Sequence, residues 1–177
     1  MNEVLKNIFR LVVFICIQVF VLNKIPHLHK FIVPYLYFLF ILWLPFSVSR
    51  FGLLIIGFIT GLSLDYFTMT PGLHTACCVL IAYARPFVIN LLIPKDTSEF
   101  NYSEPSARAL GWAPYLVYVV VLTFLHHIYL SLLKMLEIGD PLGELIKVAS
   151  STAISMLLIL TVELLFPRKL RFRTNTG

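Results

Sequence analysis

Apolar residues fall in long runs along this chain, and polar residues gather between them. Six runs stand out, at 8–22, 31–46, 51–69, 73–93, 111–133 and 148–166. A helix that crosses a ~30 Å hydrocarbon core takes roughly 20 residues, so each run reads as one membrane-spanning helix, several near the short limit. Only Ser47 to Arg50 separates the second run from the third, and only Thr70 to Gly72 the third from the fourth. Links that short force antiparallel neighbours. The longest polar stretch is Pro94 to Leu110, which holds Lys95, Asp96, Glu99, Glu104, Pro105 and Arg108. It has room for a loop and one interfacial helical turn, and reads either as a solvated linker or as a docking loop. Lys6 and Arg10 open the first run as a signal peptide would. Asn23-Lys24-Ile25-Pro26 is a poor cleavage site, so the run is read as a retained helix. The expectation is an all-α polytopic membrane protein of six transmembrane helices, one domain over 1–177, with a cytoplasmic loop at 94–110.

Composition agrees with the pattern. The 177 residues are 59% hydrophobic and 13% charged, with a mean hydropathy of +0.88. A soluble domain carries about 45–50% apolar and about 25% charged residues. The formal charge is +5. No basic face interleaves with stacking aromatics, so the excess reads as membrane topology and not as nucleic-acid binding. Lysine and arginine gather on the cytoplasmic side of membrane proteins. With the N-terminus inside, Lys6, Arg10, Arg50, Lys95, Arg108, Arg168, Lys169, Arg171 and Arg173 are cytoplasmic, against Lys24, Lys30, Lys134 and Lys147 outside. Both termini are therefore expected in the cytoplasm. The Asn101-Tyr102-Ser103 sequon would then be inert. Cys16, Cys77 and Cys78 lie inside apolar runs without ligand spacing, and read as packing residues.

The few polar residues within the runs are the candidates for function. Gly57, Gly61 and Asp65 are spaced by four and share one helix face. The glycines let another helix approach closely, and Asp65 then points to that helix. An ionised carboxylate facing hydrocarbon costs several kcal/mol or about that order, so Asp65 reads as an intramembrane contact or as the watered end of the third span. Asp65 lies about 21 Å along its span and His126 about 22 Å along the fifth, which runs the same way; His126 or His127 could meet it. Adjacent histidines point about 100° apart, a poor arrangement for one metal. Arg85, ahead of Pro86 in the fourth span, lies at a depth similar to Glu163 in the sixth. It reads as that residue's ion-pair partner or as a side chain reaching to cytoplasmic phosphates. No nucleophile stands beside a base with an orienting group. No catalytic residue, metal or cofactor is expected.

The stretch Gly61-Leu62-Ser63-Leu64-Asp65, followed by Pro71-Gly72-Leu73-His74, resembles the MreD family of rod shape-determining membrane proteins. The six-helix layout, Ala82-Tyr83-Ala84-Arg85-Pro86, Glu104-Pro105-Ser106 and His126-His127 are similar too. The resemblance implies a non-enzymatic subunit of the bacterial inner membrane. Its partners would be a single-span MreC-like protein and, through it, the actin-like MreB, RodA and a class B penicillin-binding transpeptidase. Together these direct lateral peptidoglycan synthesis and cell shape. The implied fold is similar to that of the substrate-binding subunits of energy-coupling-factor transporters. A vitamin-type transporter subunit is accordingly the rival expectation. Those subunits dock through Ala-xxx-Ala on the first helix, whereas the first alanine here is Ala76.

Overall fold

The computed structural model describes residues 3–24, 33–93, 102–135 and 141–166. Among them are seven α-helices and no strand: α1 (Glu3–Cys16), α2 (Leu39–Leu42), α3 (Arg50–Thr68), α4 (Leu73–Leu92), α5 (Ala107–Leu110), α6 (Trp112–Met135) and α7 (Pro141–Leu165). α1 continues through a π-helical turn, Ile17–Val21, and a 3₁₀ turn, Leu22–Lys24. Five of these stretches, including α1 with its extension, are long and apolar enough to cross a membrane. The chain is a polytopic helical membrane protein. Lys30, Lys95, Asn101 and the basic run from Arg168 to Arg173 lie outside the described residues.

α3, α4, α6 and α7 pack in that order, each against the next, and α1 packs beside α3. α3 and α4 are antiparallel across a turn. Arg50 therefore marks one end of the bundle and Thr68 the other. Lys6 and Arg10 of α1 reach Glu104, at 3.8 and 3.5 Å, near the Arg50 end. Phe20 meets Phe67 at the other end, with ring centroids 6.4 Å apart. α1 thus runs parallel to α3.

The second expected span is where the structure departs from the sequence reading. No continuous helix occupies 33–46, and the one helical turn there is α2. Pro34 and Pro45 explain the break. Each lacks an N–H, and each biases the residue before it away from helix. The ten residues between them are too few to cross a bilayer as a helix. They are also the most buried run among the described residues: every side chain from Tyr35 to Leu44 is buried, and Tyr37, Phe38, Leu39, Ile41 and Leu42 are fully enclosed. The segment is the axis about which the helices pack and is shielded from lipid.

Irregular backbone at membrane depth survives only where its polar groups find partners in the protein. Side chains from four helices provide them. Gln18 Oε1 accepts from Leu36 N (2.8 Å) and Tyr37 N (3.4 Å), while its amide donates to the Pro34 carbonyl (3.1 Å). Ser151 and Ser155, one turn apart on α7, accept from Val33 N (3.1 Å) and Tyr35 N (3.0 Å). Tyr118 of α6 donates to the Leu42 carbonyl (2.8 Å), and Arg85 of α4 to the Leu44 carbonyl. The π-helical turn places Gln18 opposite the segment.

Replacing Gln18 with leucine keeps the bulk but strands the Leu36 and Tyr37 amides. Gln18→Leu should destabilise the protein by about 1–3 kcal/mol, the cost of an unsatisfied buried donor. Thermal unfolding in detergent micelles checks this, and an unchanged midpoint would contradict it.

Candidate functional site

The Gly57–Gly61–Asp65 stripe forms the close contact its spacing predicts, and the helix it meets is α4. A Cβ built on Gly57 would lie 2.9 Å from both the Ala82 Cβ and the Cys78 carbonyl oxygen. One built on Gly61 would fall on the Thr75 Cα and 2.7 Å from the His74 carbonyl oxygen. Neither position admits a side chain, because the neighbouring atoms are α4 backbone and the Ala82 Cβ fixed to it.

Asp65 is 3% exposed and accepts four hydrogen bonds. Its Oδ1 takes the Thr70 hydroxyl (3.1 Å) and His74 N (2.9 Å); its Oδ2 takes Thr75 N (2.9 Å) and the Thr75 hydroxyl (2.7 Å). His74 and Thr75 are the second and third residues of α4. Their amides are the ones a capping side chain ordinarily satisfies. The capping position itself is Gly72, which has none. Asp65 supplies the cap from the preceding helix, and its negative charge suits the positive end of the α4 dipole.

The turn between the helices is built for this. Met69 (φ 55°) and Gly72 (φ 85°) are both left-handed, a conformation glycine adopts freely. Thr70 N closes back on the Asp65 carbonyl at 3.2 Å. Pro71 fixes the turn between them. Asp65 thus ends α3 with its backbone and starts α4 with its side chain.

His126 does not meet Asp65, although the two were expected at one depth. His126 lies on α6, across α4 from α3. Its Nε2 is 2.7 Å from the Tyr37 hydroxyl, which is 3.0 Å from His74 Nδ1. The ring stacks on Phe38 at 4.4 Å. His127 turns the other way. Its Nδ1–H donates to the Thr123 carbonyl (2.8 Å), leaving Nε2 to accept from the Ser155 hydroxyl (3.3 Å) while Ser155 Oγ accepts from Tyr35 N. The two histidines therefore serve different partners, and no group of three potential metal ligands exists among the described residues. Tyr37 and His126 are fully enclosed. A hydroxyl between two imidazoles can exchange a proton along its hydrogen bonds, and here the surrounding side chains enclose it.

Arg85 and Glu163 do not pair. Arg85 donates from Nε to the Tyr118 hydroxyl (3.1 Å) and from Nη2 to the Leu44 carbonyl. Glu163 accepts from the Tyr115 hydroxyl (2.9 Å) and from Ala107 N at the start of α5 (3.1 Å). Since α6 lies between α4 and α7, its two tyrosines intercept the charges one on each side. Gln18, Tyr37, His74, Ser151, Ser155, Tyr115 and Tyr118 belong to this polar interior and were missed as site residues in the sequence reading. Gln18 carried a visible signal, as the one strongly polar side chain between Leu11 and Leu22. Ser151 and Ser155 carried another, in their four-residue spacing.

No protein-family model, curated protein or solved structure matches this chain.

The Asp65–Thr75 contact predicts coupling. Asp65→Ala and Thr75→Val should each destabilise the protein, and the double variant should cost less than their sum by roughly 0.5–3 kcal/mol. Gly61→Leu should be more damaging than either. Additive losses in a double-mutant unfolding cycle would place the Asp65 carboxylate elsewhere.

Proposed function

We propose that this chain is a non-enzymatic subunit of a bacterial cell-elongation complex, similar to MreD, in the cytoplasmic membrane with both termini inside. The observation that carries the reading is the use made of the stretch that resembles that family. Gly61, Asp65, Pro71, Gly72 and His74 act together in one object, the α3–α4 clamp. The motif is spent on holding two helices rigid and in register, which is what a scaffold requires of its parts.

The clamp also changes where a partner would bind. The Gly57–Gly61–Asp65 face is covered by α4, so it is not the face offered to an MreC-like helix. The opposite face of α3 carries exposed Phe51, Ile55, Phe58, Leu62 and Tyr66. In this reading those residues meet lipid or the single span of the partner, and through it MreB, RodA and the class B transpeptidase. In the alternative reading, a vitamin-type transporter subunit, the ligand would sit away from the bundle centre, where Tyr35–Leu44 is buried.

Depleting the protein in its rod-shaped host should make cells wider and rounder. Wild-type protein supplied in trans should restore the rods, and Gly61→Leu should not. Unchanged cell width and length after depletion would overturn the reading.

A further inference from the structure

Among the described residues, the buried Arg85 has no carboxylate partner. Arg85 is 2% exposed, and both of its described hydrogen bonds go to neutral oxygens, the Tyr118 hydroxyl and the Leu44 carbonyl. The buried and bridging carboxylates are engaged elsewhere: Asp65 on the α4 terminus, Glu104 with Lys6 and Arg10, Glu144 with Lys147 and Ser131, Glu163 with Tyr115 and Ala107. A guanidinium carries five N–H donors, so Arg85 keeps donors to spare. An isolated charge taken out of water is strongly unfavourable without a partner.

Arg85 stands on the wall of an open cavity of about 340 Å³ at the Arg50 end of the bundle. Arg50, Asn90 and Tyr102 share the wall, with Val48, Leu53 and Ile89 as its apolar part. The volume falls within the ~300–1,000 Å³ range of small-molecule sites. Arg50 is also the first residue of α3, a 19-residue helix whose positive end therefore faces the same region. Two guanidinium groups, one buried and one exposed, with the Asn90 amide on the same wall, make a receptor for a tetrahedral oxyanion. Arginine suits that task because its planar fork binds phosphate bidentately. Phe51, Phe87 and Leu91, each next in sequence to a wall residue, are exposed apolar side chains.

We propose that this cavity binds a phosphate group, with Arg85 and Arg50 as its two cationic ligands, presented either by the headgroup of an anionic phospholipid or by a soluble phosphate. The inference does not depend on the function proposed above.

The test uses the full-length protein in a neutral maltoside detergent. Binding of phosphatidylglycerol, phosphatidylcholine and inorganic phosphate is followed by native mass spectrometry and thermal shift. Phosphatidylglycerol should bind more tightly than phosphatidylcholine. Competition by inorganic phosphate would identify a soluble ligand, and its failure to compete a headgroup; either supports the site. Arg50→Gln, at an exposed position that leaves the core untouched, should weaken binding roughly tenfold, the worth of one charge-assisted contact. Arg85→Lys keeps the charge but loses the fork, and should weaken it as well. Lys24→Gln, at the far end of the bundle, removes the same charge and should change nothing. The proposal is overturned if wild-type protein does not distinguish the two lipids and ignores phosphate. It is equally overturned if Lys24→Gln lowers affinity as much as Arg50→Gln does.

Discussion

The backbone from Tyr35 to Leu44 runs through the apolar centre of the bundle without a continuous helix, and the rest of the structure is arranged to satisfy it. In lipid or in a dry core each unpaired N–H or C=O costs several kcal/mol or about that order. The chain meets this with single side chains at chosen heights: Gln18 on α1, Ser151 and Ser155 on α7, Tyr118 on α6, Arg85 on α4. Each helix thereby gains a fixed rotation and a fixed depth relative to the segment. Packing among apolar faces alone would specify neither, because one leucine-rich surface slides over another at little cost.

The α3–α4 clamp is joined to that centre through one residue. His74 gives its backbone N–H to Asp65 and its ring to Tyr37, whose hydroxyl also meets His126 on α6. The cap of a helix and the axis of the bundle are thus parts of one connected set of hydrogen bonds. Such a network is worth most when every member is satisfied, since the low dielectric that strengthens each bond also penalises a missing one. A protein built this way keeps its helices in fixed relation to one another.

Much of this was legible in the sequence where one local rule decides. α3 and α4 begin and end within one residue of their expected limits, because Ser49 caps one and Thr70 to Gly72 separates them. The glycine–aspartate stripe found its close contact for the same reason. The second span was misread because hydropathy reports how apolar a run is, and a run enclosed by protein looks the same as one bathed in lipid. Pro34 and Pro45 held the correction. α7 begins seven residues before its expected start, since Glu144 and Lys147 pair across one turn at 3.1 Å and so sit comfortably in a helix that a count of charges ends early. The Asp65–His126 and Arg85–Glu163 pairings failed for a different reason. Depth fixes the height of a residue, but lateral neighbours depend on helix order. α4 separates α3 from α6, and α6 separates α4 from α7.

The central claim is that Tyr35–Leu44 is a fixed internal axis and not a surface loop or a mobile plug. Hydrogen–deuterium exchange of the protein in lipid nanodiscs, read by mass spectrometry on peptides covering that segment, addresses it directly. The account predicts exchange as slow there as in α3 and α4, despite the absence of a continuous helix. Exchange as fast as in a solvated loop would contradict it.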